Sequence, residues 1–404
     1  MEKFQNQLRL ATIVLFCLLT IGFGIYAVKV PMMVGGALGM VYAASAMTAG
    51  IFQATAPAFI PARIAMPIAV ATQPADPANV DGLVDRMISQ SRYALLLRSQ
   101  VAGNLGEQHR RRAHEKLHET MALVPDGDVV LRDGFGDPLD GTSIGRRGPG
   151  SLERRVNVAS LFLDRYAVTN RQYYDFVAAG GYREMSLWDS RLWSAALEMV
   201  DQTGLPGPRF WVNGCYAPGE EDLPVVGVSW YEAQACTRWM GKRLPGDAEW
   251  VKAACWPVPT DSEALVERRY PWGDTMDRGR ANVWGSGPNR AVAVDEFAGG
   301  ASVGGVYQMI GNVWEWTSSD FHLFQSAGGG EAAPLKSIRG GAFDTYFDNQ
   351  ATCQFESGEY PLSRRHNIGF RCAIGACDLV LAVPQGDAES TADAARAELE
   401  EACV

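Results

Sequence analysis

Residues Gly311–Phe321 read GNVWEWTSSDF, with Glu315 set between Trp314 and Trp316. A carboxylate among large aromatic bodies is drawn out of water. Burying it costs several kcal/mol unless it is paired or bound to a cation. The stretch therefore calls for a partner, and the chain offers Arg339, Arg371 or a metal ion.

Working outward, the segments on both sides are irregular and rich in Gly, Pro and Trp, with short helical runs at SWYEAQACTRWMG and DAEWVKAAC and a short strand at VVLRDG. The 404 residues are 47% hydrophobic and 20% charged, enough to bury a sizeable core in one large domain with appendages or in two ordinary ones. A net charge of -10 excludes a phosphate-neutralising surface, so nucleic acid is not an expected partner.

The N-terminus carries a different signal. Leu10–Val28, LATIVLFCLLTIGFGIYAV, is uncharged and long enough to cross the hydrocarbon core as a transmembrane helix, read as a membrane span or an uncleaved signal. Lys3 and Arg9 precede it and Lys29 follows, which leaves the N-terminus cytoplasmic and the rest outside. Residues 31–80 hold an apolar Ala/Gly-rich segment and then a Pro-rich linker. Gly35, Gly39, Ala43 and Met47 on one face suit close helix packing, so a second span and a juxtamembrane stalk are both open. Residues 81–125 turn helical, broken at Gly103 and Gly106, and 375–404 form an acidic tail.

Within the helical segment, His114–His118 reads HEKLH and matches a zinc-protease signature with Glu115 as base. The flanking RRRA and ET are solvated, and no third ligand follows at a useful distance. A charged solvent face or partner-contact helix is the expected reading.

The ordered series LFLDRYAVTNRQYYDFV, LPVVGVSWYEAQACTRWMGKRLPGDAEWVKAAC, RRYPWGD, GVYQMIGNVWEWTSSD, SIRGGAF and NIGFRCA resembles the formylglycine-generating enzyme (sulfatase-modifying factor) family over roughly residues 126–374. The resemblance implies an irregular α+β domain distantly like C-type lectins. It also implies two disulfides, Cys236 with Cys372 and Cys255 with Cys353, each closing a loop long enough to stabilise by about 3 to 5 kcal/mol. Such bridges belong to an oxidising compartment and so favour a single span. Cys215, Cys377 and Cys403 have no assigned partners, and a Cys377–Cys403 bridge is open.

In catalytic members, two further cysteines after the R-G-G turn bind copper and oxidise a substrate cysteine with oxygen, because soft Cu(I) needs thiolates. Here Ala342–Gln350 reads AFDTYFDNQ, without cysteine. The oxidase chemistry and its copper are therefore expected to be absent. Other superfamily enzymes take iron from a separate helical bundle, for which 81–125 is too short, although His114 and His118 would be the iron pair.

The family's calcium sites map onto the side chain of Asn282 with the carbonyl of Val283, and onto the carbonyls of Gly311 and Val313 with the carboxylate of Glu315. Gln308 stands where the family has Asn or Asp. The expectation is a non-catalytic binding or structural subunit of a membrane protein complex. It would be anchored in the bacterial inner membrane and its lipid by the N-terminal helix, with the large domain in the periplasm. Tyr346, Phe347 and Phe355 would anchor a partner. The alternative is a metal-dependent enzyme, of oxidoreductase type, using a cleft lined by Asp344, Asp348, Arg364, Arg365 and His366.

Overall fold

The computed structural model describes residues 80–132, 153–259, 265–321 and 335–381. The apolar stretch at 10–28, the segment from 31 to 79 and the tail beyond 381 lie outside these residues. Among the described residues, no helix is long and apolar enough to cross a membrane.

The chain begins with helices α1 (Val80–Ser89), α2 (Tyr93–Leu96), α3 (Ser99–Ala102) and α4 (Glu107–Thr120). Gly103 and Gly106 fall between α3 and α4, where the sequence places the break. Strands β1 (Met121–Val124), β2 (Gly127–Arg132), β3 (Glu153–Val158) and β4 (Leu161–Asp164) follow. Then come α5 (Asn170–Ala178), α6 (Trp193–Ala196), α7 (Trp230–Trp239) and α8 (Asp247–Cys255). The remaining strands are β5 (Val258–Pro259), β6 (Leu265–Val266), β7 (Trp314–Phe321), β8 (Leu335–Arg339), β9 (Glu356–Glu359), β10 (Ile368–Gly369) and β11 (Ala373–Gly375).

Local chemistry starts the two central helices where the sequence puts them. Thr169 and Gln172 form a reciprocal capping box before α5, as Ser229 and Glu232 do before α7, satisfying backbone donors that a helix start would otherwise leave bare. Apolar faces then drive the packing. A first core joins α5 and α7 to Trp316, Ile338 and Phe370. A second gathers α8, Leu161, Leu163, Val306 and Met309.

The helical segment expected at 81–125 is joined to the domain expected at 126–374, because β1 lies inside that segment and pairs antiparallel with β4, which pairs on its other side with β11. Tyr93, Leu97, Ala113 and Leu117 from the helices share a third core with Phe162 and Ile374. Lys242 pins this layer. Its buried ammonium lies 2.8 Å from both Asp164 and the Tyr93 hydroxyl. Burial opposes its charge, yet Asp164 and Tyr93 hold its pKa above the ordinary lysine value, while burial pushes the Tyr93 hydroxyl up to about 12. A four-residue strand is invisible to helical periodicity when it continues directly from a helix.

The second sheet runs β10-β7-β8-β9. β10 lies parallel to β7, with Ile368 opposite Trp314 and Gly369 opposite Glu315, which brings Arg371 up beside Glu315.

Candidate functional site

Glu315 has an arginine partner. Its two oxygens accept from Arg371 at 2.6 and 2.7 Å, and one also accepts from the Trp250 indole at 2.8 Å. Both residues are buried. Arg371 spends its remaining donors on the carbonyls of Asp164, Arg165 and Tyr307, so the pair is saturated as a buried ion pair must be. Arg339 serves another carboxylate, Asp247, at 2.8 Å. The cation set expected on Gly311, Val313 and Glu315 fits poorly here: the carboxylate already accepts three hydrogen bonds, and the Gly311 carbonyl accepts from the Val313 amide at 2.9 Å.

The set on Asn282 fares differently. Its amide nitrogen donates to the carbonyl of Arg290 and to Asn312 Oδ1, but its own Oδ1 is buried without a hydrogen-bond partner. A β-carbon on Gly287 would stand 1.9 Å from that oxygen, so the glycine keeps space beside it. An orphaned hard oxygen fits calcium. The Val283 carbonyl fits less well, since the Ser286 amide and hydroxyl both donate to it, at 3.0 and 2.9 Å.

The R-G-G turn ends β8 and redirects the chain. Gly340 has φ +94°, and a β-carbon there would meet the Met309 carbonyl at 2.7 Å, so the position requires glycine. Beyond it the loop 342–348 is stitched down by several hydrogen bonds. Ala342 N donates to Thr345 Oγ1 at 2.8 Å, Phe343 N to the Asn312 carbonyl at 3.0 Å, and Trp284 N to the Thr345 carbonyl at 3.2 Å. Ala342 and Phe343 are buried, whereas Tyr346 is 63% exposed and Phe347 59%, with Trp284 alongside at 47%. Ring centroids lie 6.2 Å apart for Trp284 and Tyr346, and 5.1 Å for Tyr346 and Phe347. Arg278 clamps the ridge from below, donating at 2.6 Å to both the Trp284 carbonyl and Asp348. Burying an aromatic side chain is worth about 1.5–3 kcal/mol, and these three neighbouring rings, each about half exposed, form an apolar patch.

The five residues expected to line one cleft are divided among three neighbourhoods. Asp344 and His366 do meet, at 3.5 Å, and Asn367 donates to both Asp344 oxygens at 3.1 Å. Asp348 belongs to the Arg278 clamp. Arg364 and Arg365 line a separate open groove of about 670 Å³. Arg364 there supports buried Glu232 at 2.9 Å, whose carboxyl burial pushes up against the pull of Arg364. Phe355 is half-buried against Trp314 and does not join the ridge. Trp284, Arg278 and Asn367 were not singled out from sequence. The one available signal was that Trp284 lies two residues beyond Asn282.

Of the HEKLH histidines, His114 is half-buried and His118 exposed. His114 bonds the Val380 backbone and His118 sets its edge on Phe162, while His109 pairs with Asp81. Among the described residues, no group of three or more His, Cys, Asp or Glu side chains converges as a metal site.

Cys236 and Cys372 fall in the first core, and Cys255 and Cys353 in the second. Cys236, Cys255 and Cys372 are thiols in the structure, so the bridges implied by the resemblance are not formed in it. Burial pushes all three thiols upward, which suppresses the reactive thiolate.

The comparisons agree with this frame. The sulfatase-modifying factor enzyme 1-like domain matches residues 107–376. A hercynine oxygenase of Mycolicibacterium smegmatis is 35% identical over 210 residues, 50% of this chain and 45% of its own length. A formylglycine-generating enzyme of Thermomonospora curvata is 32% identical over 305 residues, 65% of this chain and 96% of its own. The inactive C-alpha-formylglycine-generating enzyme 2 of Bos taurus is 31% identical over 263 residues, 57% of this chain and 82% of its own. The chain spans about half the length of the hercynine oxygenases it matches. On a match covering most of its length, the chain belongs to the family of sulfatase-modifying factor enzyme 1-like domains.

Proposed function

We propose that this chain is a non-catalytic binding or structural subunit of a membrane protein complex, anchored through Leu10–Val28 with its domain on the extracytoplasmic side. One observation carries the reading: the loop after R-G-G has no thiol between Ala342 and Gln350 and instead displays clamped, exposed aromatics. Soft-metal oxidation needs thiolates, whereas a rigid aromatic ridge needs a partner. A relative named as an inactive enzyme is compatible with such a use. Calcium, if held, would sit at Asn282 and stiffen the segment that carries Trp284. In an oxidising compartment Cys236–Cys372 and Cys255–Cys353 would staple the two cores.

The test is to isolate the full chain from its native membrane in mild detergent and to assay it with a cysteine peptide derived from a sulfatase. The expected result is a complex of stoichiometric subunits and no aldehyde on the peptide. Aldehyde formation, or stoichiometric copper in a monomer, would overturn the reading. A second reading, a metal-dependent enzyme, is favoured by the Asp344–His366 contact and by identity to hercynine oxygenase. Stoichiometric iron lost on His366→Ala would support it.

A further inference from the structure

We propose that the ridge of Trp284, Tyr346 and Phe347, with the groove beside it, is a binding site for a neutral saccharide chain; this rests on the reading of the loop as a binding surface. The groove, of about 690 Å³, is lined by Trp272, Asp274, Thr275, Asp277, Arg278 and Arg280 among others. Arg278 belongs to both features, since it lines the groove and clamps the ridge, so the two are continuous.

Charge selects the ligand class. The groove sets two carboxylates, Asp274 and Asp277, against two guanidiniums, Arg278 and Arg280, and so offers no net charge. Asp277 already pairs with Arg280 at 2.9 Å, and Arg278 with Asp348 at 2.6 Å. Neither a strongly anionic nor a strongly cationic ligand gains from such a surface. Paired carboxylates and guanidiniums still hold unused lone pairs and N–H groups, which suit hydroxyls that both donate and accept.

Shape points the same way. Protein hot spots are apolar pockets ringed by polar residues. Here the aromatics are joined through Arg278 to an open trough of mixed lining, in which Met276 and the Trp272 ring lie among two carboxylates, a threonine hydroxyl and two guanidiniums. The rings of the ridge are turned 55° and 88° from one another. One flat ligand cannot meet all of them, but sugar rings joined by rotatable linkages can each present a C–H face to one.

The experiment titrates the full chain in detergent with chitotetraose, cellotetraose, maltotetraose and mannotetraose, following tryptophan fluorescence and heat. Saturable binding of at least one probe is expected, weakened about tenfold by Trp284→Ala or Tyr346→Ala. Trp284→Phe, which keeps an aromatic face, is expected to retain most of the affinity, and this guards against mere misfolding. Failure of all four probes, or binding indifferent to both alanine variants, overturns the saccharide assignment. If the same alanine variants release protein subunits from the native complex while no sugar binds, the ridge docks protein. The subunit reading then stands while this inference falls.

Discussion

The sheet β7–β10 and the loop that leaves it at Gly341 treat their side chains in opposite ways. In the sheet, charges are buried and matched: Glu315 with Arg371, Asp247 with Arg339. In the loop, apolar rings are exposed and unmatched. The sheet uses its charges to specify one arrangement, whereas the loop leaves Tyr346 and Phe347 at the surface. Sequence motifs that name the family therefore report the frame, and the proposed use of the frame rests on residues 342–350.

That contrast can be broken most forcefully from inside. Arg371→Leu strands a buried carboxylate and is expected to cost about 3–5 kcal/mol, read by chemical denaturation. Adding Glu315→Leu should recover much of the loss, because replacing both partners removes the unpaired charge. No recovery would mean that Glu315 has another role.

Gly340→Ala should cost about 1–3 kcal/mol through its positive φ and the Met309 carbonyl, and should disturb the loop whose path it sets. Tyr346→Ala and Phe347→Ala should leave stability within about 0.5 kcal/mol, as expected of exposed positions. A large loss at either would show that the ridge is structural after all.

The smallest effect concerns the helical layer. Burial, with His118 and Arg110 nearby, lowers the His114 pKa below its ordinary 6.5 although the Val380 backbone bond works against it. The unfolded chain then takes the proton first. The stability from neutral His114 is full above pH 6.5 and declines as pH falls from there through the lowered folded value. His114→Gln should flatten that slope in a pH series of melting curves.

Much of the frame could be read before the structure. The helices at Trp230–Trp239 and Asp247–Cys255 sit inside the segments named from apolar spacing and caps. The need of Glu315 for a partner was also legible. The choice of Arg371 over Arg339 was not, because it depends on a parallel pairing between segments 54 residues apart, Gly369 and Glu315. The cleft drawn through Asp344, Asp348, Arg364, Arg365 and His366 failed for a similar reason. Neighbours in sequence diverged once Arg278 took Asp348 and Glu232 took Arg364. Exposure of Tyr346 and Phe347 depends on the turn at Gly340, which no composition reveals.

The three-stranded sheet has a mechanical corollary. β1 and β11 flank β4 and run the same way, with Met121 opposite Asp164 and Gly375 opposite Leu161. Tension drawn toward the N-terminus from Met121 and toward the C-terminus from Gly375 would pull along the strand axis in opposite senses. Both ladders would then be loaded in shear, with their hydrogen bonds strained together and not peeled one at a time. A stretching force applied between Met121 and Gly375 would thus meet both ladders in shear.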